Sequence, residues 1–219
     1  ILSGAVHPDS GEIRINGKPV TITSPRDAFV QGICTVYQEM SLVPGLTVAE
    51  NILLGRWPQH RRFGVPVIDR AKIRKIAQAA LDQLEVKLDL DEIVSRLSVA
   101  KQQLIEIAKA ISFNPRVLVL DEPTSALPAG EVTVLHKVVR RLAKQGHAII
   151  YVTHRLQEVP YVADSVTVLR DGEHIGTVPV AEATPARIAH MMIGADWQRT
   201  EWGASVQAGE VKLSVRHLD

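Results

Sequence analysis

The run Val117-Leu118-Val119-Leu120, ended by Asp121-Glu122-Pro123-Thr124-Ser125-Ala126-Leu127, constrains the fold of this chain more than any other stretch. Four consecutive apolar residues, two of them β-branched, behind Asn114-Pro115 predict a short strand buried on both faces of a parallel sheet. Ligands collect at the carboxyl ends of strands in open α/β sheets, and two adjacent acids there are costly to desolvate unless a cation or a proton compensates them. The strand end is therefore a candidate Mg²⁺-nucleotide site, with Asp121 holding the metal and Glu122 orienting or deprotonating an attacking water. The plainer alternative is a strand end whose acids cap the next helix.

Composition narrows the classes. Hydrophobic residues make up 46% of 219, enough for a full core and for one domain plus part of another. The 25 Lys+Arg nearly cancel the 24 Asp+Glu without a long single-sign block, so nothing in the charge asks for nucleic acid. Cys34 is the lone cysteine and sits in the apolar run Ile33-Cys34-Thr35-Val36, which suits a small core residue and a reducing compartment. No apolar run approaches the roughly 18 residues that span a bilayer, and the first residues form no signal peptide, so a membrane role comes through a partner. Ile1-Leu2-Ser3-Gly4 reads as the last turn of a helix with Gly4 just beyond it, and Glu210-Val211-Lys212-Leu213-Ser214-Val215-Arg216 alternates like a strand. On that pattern the chain is a piece of a longer one.

From the start, runs 11–15 and 19–22 flank Asn16-Gly17-Lys18, a hairpin signal that opens an antiparallel β subdomain. Ser24 and Pro25 start a short helix before a strand at residues 33–37. Gln38 follows directly. An amide there can accept from a metal-bound water and donate to a phosphate, although a lone Gln is usually a solvated loop residue. Thr47 and Glu50 form a capping box, and Gly55 closes the short helix they begin. A polar loop at residues 56–66 and a long helix at 70–84, capped by Asp69 and striped with Ile73, Ile76, Ala77, Ala80, Leu81 and Leu84, begin an all-helical insertion over about 57–112. Ser98 precedes a further helix with Leu104, Ile107, Ala108 and Ile111 on its apolar face; its hydroxyl and the free N–H groups of the first turn can meet an anion, or it is a plain cap. Residues 129–144 form an amphipathic helix, residues 148–153 a second buried parallel strand, and His154 stands at that strand's end, able to donate to a phosphate oxygen while a neighbour orients its other nitrogen. A hairpin over 165–178 with an Asp171-Gly172 turn, a helix at 185–193 and an aperiodic linker close the pattern.

The order Gln38, then Leu97-Ser98-Val99-Ala100-Lys101, then Leu118 to Leu127, then Thr153-His154 resembles the nucleotide-binding domain of an ABC transporter, most of all the ribose/galactose/xylose-type sugar importers whose ATPase subunits carry two such domains in tandem. The resemblance implies an α/β, P-loop NTPase-like fold with ATP and Mg²⁺ as cofactors. It implies that Asp121 and Gln38 hold the metal, Glu122 acts on the attacking water, His154 contacts the terminal phosphate, and Ser98 and Ala100 serve a nucleotide bound mainly by an opposing domain. It further implies transmembrane permease subunits docked on the loop at 39–45 and the insertion, a second ABC domain, and indirectly a sugar-binding protein, at the cytoplasmic face of the membrane. Residues 1–196 would be an ABC ATPase domain without its N-terminal part, and 197–219 a linker and first strand of a second one.

The departures are specific. The usual Leu-Ser-Gly-Gly-Gln is here Leu97-Ser98-Val99-Ala100-Lys101, and side chains at Val99 and Lys101 crowd close backbone approach to a phosphate. Pro128 stands where the family usually has Asp. No G-x-x-x-x-G-K-[ST] occurs; Gly17-Lys18 lacks the earlier glycine and is followed by Pro19. A polypeptide of these residues alone is therefore expected to bind ATP weakly and hydrolyse it negligibly. Two other readings compete: a soluble ABC-type ATPase acting on ribosomes or DNA, and a degenerate domain with a structural role. Repair-type relatives carry a long coiled coil between the glutamine and the signature, whereas no heptads run between Gln38 and Ser98.

Overall fold

A computed structural model describes residues 1–62 and 65–194. They fall into two compact units, Ile1–Asp164 and a second that begins at Ser165.

The first unit is built on three parallel strands, β3 (Ile33–Val36), β6 (Val117–Asp121) and β7 (Ala148–Val152), in the order β3-β6-β7. Their register pairs Val36 with Leu120 and Asp121 with Val152, so the three carboxyl ends lie along one edge. Before them come the hairpin β1 (Ile13–Ile15) and β2 (Lys18–Val20), turned at Asn16 and Gly17 with φ of 52° and 75° as a two-residue turn of this kind needs, and α1 (Pro25–Val30), whose Ser24 cap accepts from the Asp27 N–H. Helices α2 (Val48–Ile52), α3 (Arg70–Leu84), α4 (Val99–Ile111), α5 (Ala129–Lys144) and α6 (Val159–Val162) complete the unit. The Thr47–Glu50 capping box and the Asp69 and Ser98 caps are all formed.

One face of the sheet is dry. Leu118 and Leu120 are fully buried among Ile105 and Ile107 of α4 and Leu135 and Leu142 of α5. The other face is not. Among the described residues it meets the small cluster of Ile22, Ala28 and Ile33 with the β1–β2 side chains, which leaves Val117 and Val119 half-exposed and Ile150 and Val152 of β7 exposed. The continuous apolar runs are parallel strands as expected, but neither is buried on both faces: β6 buries Leu118 and Leu120 on one, and β7 only half-buries Ile149 and Tyr151 there.

The insertion is not all-helical. Residues 56–66, expected as a polar loop, instead contribute to a hairpin of β4 (Gln59–Arg62) and β5 (Val65–Ile68), which pairs Arg61 with Pro66. A two-stranded ribbon is all edge and tolerates Pro66, and the flanking β-branched residues favour extension. Gly4 also has a physical reason: its φ is +74°, and a Cβ there would lie 2.2 Å from the Ser24 carbonyl oxygen.

The second unit contains the antiparallel pair β8 (Ser165–Arg170) and β9 (Glu173–Pro179), turned at Asp171-Gly172 with φ of 52° and 81°, and α7 (Pro185–Ile193) capped by Thr184. The linker and strand expected over 197–219 lie outside the described residues.

Candidate nucleotide and metal site

The parallel register carries four of the sequence-selected residues to one edge of the first unit. Gln38 is exposed two residues beyond β3, Asp121 is the last residue of β6, Glu122 follows it, and His154 lies two residues beyond β7. The direct contact is between the last two: His154 Nδ1 is 3.0 Å from Glu122 Oε1. An ionised carboxylate only accepts, so Nδ1 carries the proton and Nε2 is left toward solvent on a ring whose side chain is 64% exposed. In the neutral ring Nε2 is an acceptor; only the imidazolium can also donate there, to a phosphate oxygen.

Glu122 is held in an uncommon backbone conformation. Its φ is +45°, its N–H donates to the Val152 carbonyl at 3.0 Å, and its own carbonyl accepts from the Ser125 N–H at 3.1 Å. A left-handed conformation on a non-glycine residue costs on the order of 1–3 kcal/mol and persists where surrounding contacts over-determine it. The turn at 122–125 thus aims the carboxylate along the sheet edge instead of letting β6 run on.

The loop after Gln38 is clamped twice. The Ser41 N–H donates to Glu106 Oε1 at 2.5 Å, the Ser41 hydroxyl to the same oxygen at 3.0 Å, and Lys109 Nζ to Ser41 Oγ at 2.7 Å. Fully buried Asn51 accepts from the Val43 N–H at 2.8 Å and donates to the carbonyls of Val43, Leu46 and Thr47. Neither Glu106 nor Asn51 was selected from sequence, although a charged residue inside the apolar run Leu104-Ile105-Glu106-Ile107 is the visible signal for the first. A cavity of about 280 Å³ opens beside β3, lined in part by Cys34, Tyr37, Ser41, Glu106, Lys109 and Phe113. Glu122 and His154 are not among its walls.

Ser98 and Ala100 stand elsewhere. Ser98 caps α4 and its hydroxyl faces Glu131 in the first turn of α5, 3.5 Å away. Ala100 is buried, so its N–H rather than its methyl is what it could offer a ligand. Exposed Val99 and Lys101 flank it in the helix's first turn.

Among the described residues no group of three or more His, Cys, Asp or Glu side chains could hold a metal. The chemistry of the half-buried Asp121 carboxylate and of the exposed Gln38 amide, at the ends of adjacent strands, fits Mg²⁺, which keeps several waters and takes other ligands from substrate phosphates.

The model of the family described as "ABC transporter" matches residues 1–125. The chain is 45% identical over 218 residues to the ribose import ATP-binding protein RbsA 1 of Rubrobacter xylanophilus, with 100% of this chain and 43% of that protein covered. It is 40% identical over 219 residues to the ribose import ATP-binding protein RbsA of Corynebacterium glutamicum, with 100% and 41% covered. The chain thus spans well under half the length of these curated relatives. Among solved structures, cbiO1 from Clostridium perfringens, part of the ABC transporter complex cbiONQ, aligns with a TM-score of 0.69 and 25% identity over 86% of this chain and 73% of that one. A nucleotide-free ATP-binding cassette from an ABC transporter aligns with a TM-score of 0.73 over 89% of this chain and 81% of that one; at 22% identity it speaks for the fold alone. With more than half of its residues matched by the family model, the chain belongs to the ABC transporter family.

Proposed function

We propose that these residues serve as the ATP-binding and ATP-hydrolysing domain that energises a sugar importer. The observation that carries the proposal is the 3.0 Å contact between Glu122 and His154 at the carboxyl edge of a parallel sheet that also presents Asp121 and Gln38. Asp121 and Gln38 would hold Mg²⁺, which neutralises developing charge on the phosphates when bound. Glu122 positions and accepts a proton from the attacking water; His154, held through Nδ1, presents Nε2 to the terminal phosphate. Ser98 and the N–H of Ala100 would face a nucleotide held by a second ABC domain; in this chain the Ser98 hydroxyl meets Glu131 of α5 and neither Glu122 nor His154. A share of 41–43% in the relatives fits one of two tandem domains, and their names, ribose import ATP-binding proteins, support a monosaccharide as cargo. Permease subunits would dock on the clamped loop at 39–45, at the cytoplasmic face of the membrane; no described helix is long and apolar enough to cross one. A sugar-binding protein would enter indirectly.

Phosphate release from Mg-ATP by the permease complex purified through the native chain that contains these residues tests the reading. Release that ceases with Glu122→Gln supports it. Absence of release from the wild-type complex contradicts it, and an active ATPase that brings down no membrane protein favours a soluble role instead.

A further inference from the structure

Behind the Glu122–His154 pair lies a buried carboxylate with no part in the scheme above. Glu158 is 5% exposed and collects donors from three directions. Thr124 Oγ1, itself on a residue 1% exposed, donates at 2.7 Å to Oε1 with Oε2 2.8 Å away. The Tyr151 hydroxyl donates to Oε2 at 2.8 Å from β7. The Arg155 guanidinium lies 3.4 Å from Oε1 and also donates to the Thr124 carbonyl at 3.0 Å. Burial pushes the Tyr151 phenol well above its ordinary value, so it stays a neutral donor. On the α5 side, His136 Nε2 lies 3.8 Å from Oε2 and is otherwise without a partner.

We propose that Glu158 is a positioning residue: it welds the loop that carries Glu122 to the loop that carries His154 and so sets the hydrogen bond between them. Thr124 is two residues from Glu122, and Arg155 is next to His154. The two loops are otherwise joined by the Glu122 N–H to the Val152 carbonyl, and Thr153 Oγ1 braces the second from within by accepting from the Arg155 N–H at 2.9 Å. Glu122 at φ +45° needs such support, because a free turn would relax out of that conformation. The meaning of the bond for catalysis rests on the nucleotide-site reading, but its existence and its dependence on Glu158 do not.

The test needs no nucleotide. Long-range ¹H–¹⁵N spectra of the labelled chain, recorded at alkaline pH where a free imidazole is neutral, report which ring nitrogen of His154 bears the proton. The wild-type ring should be the Nδ1–H tautomer, and Glu122→Ala supplies the spectrum of a released ring. Glu158→Ala and Thr124→Val, the second close in volume in case the first does not fold, should each move the His154 signals most of the way to that reference while His7 and His147 keep theirs. Glu158→Gln, which keeps an acceptor oxygen, should move them less. A His154 ring that stays Nδ1–H in both variants, or a wild-type ring that lacks that tautomer, overturns the proposal. So does chain-wide loss of amide dispersion in both, which would make Glu158 a general fold determinant. If the tautomer shifts as stated while the permease complex releases no phosphate, the nucleotide reading alone fails.

Discussion

Replacing Glu106 with alanine should unlock the loop that carries Gln38. Glu106 is 7% exposed and accepts two hydrogen bonds from Ser41, one from the backbone N–H at 2.5 Å and one from the hydroxyl at 3.0 Å. Hydrogen bonds to a charged group contribute about 1.5–3 kcal/mol each, and the two share one acceptor and one residue, so they do not add fully. Lys109 still donates to the Ser41 Oγ at 2.7 Å, but an ammonium accepts nothing, so the hydroxyl proton turns to water after the change. The net local loss is then about 2–3 kcal/mol, mostly from the N–H. Because about 1.4 kcal/mol is a factor of ten, the opening that exposes the Ser41 amide should become roughly 30- to 150-fold more populated. Native-state hydrogen exchange reads this directly: the Ser41 amide should exchange faster by that factor, while amides of β6 and the middle of α4 keep their rates relative to global stability. Ser41 exchange within threefold of wild type would refute the idea that Glu106 holds the loop. So would an equal acceleration at every amide, which would mean global destabilisation.

Three further outcomes follow from the geometry. Gly4→Ala should destabilise the fold by about 2 kcal/mol or more in urea melts, because left-handed backbone costs a residue with a Cβ about 1–2 kcal/mol and the Cβ would also sit 2.2 Å from the Ser24 carbonyl oxygen; an unchanged midpoint would contradict it. Glu50 is held below its ordinary value of 4.5, first by the Thr47 N–H it accepts from, so its contribution to stability is present above that value and lost as pH falls through the lower native one; Glu50→Gln should flatten the acid side of the stability–pH curve in that window, and an unaltered acid limb would refute it. A polypeptide of these 219 residues alone, with no G-x-x-x-x-G-K-[ST], should bind Mg-ATP at least about a thousandfold more weakly than a chain with a phosphate loop, since two missing charge-assisted bonds come to about 4 kcal/mol; low-micromolar binding by calorimetry would contradict this.

Local chemistry was legible where one residue decides it. Ser24, the Thr47–Glu50 pair, Asp69 and Ser98 form the caps their side chains dictate, and Asn16-Gly17 and Asp171-Gly172 turn as their positive φ angles allow. The strand ends were legible too, because a run such as Val117 to Leu120 stopped by two acids has few other uses in an α/β pattern. What escaped was set by distant contacts. Apolarity of Ile150 and Val152 says that a strand forms, not which of its faces is covered. Pro66 and the polar run before it disguise a ribbon whose second strand is exposed throughout and has no amphipathic pattern to read. Glu158 and Asn51 look like surface residues by type; their burial follows from partners that include a hydroxyl 34 residues away in one case and from a loop that folds back on its own helix in the other.

The most direct measurement of the central claim, that Glu122 acts on the water attacking ATP at this sheet edge, is the identity of the nucleotide retained by the Glu122→Gln form of the native chain after incubation with Mg-ATP and rapid desalting. If Glu122 has that role, the variant retains intact ATP and releases no phosphate, whereas the wild-type chain yields ADP. Recovery of ADP at the wild-type rate from Glu122→Gln would contradict the assignment.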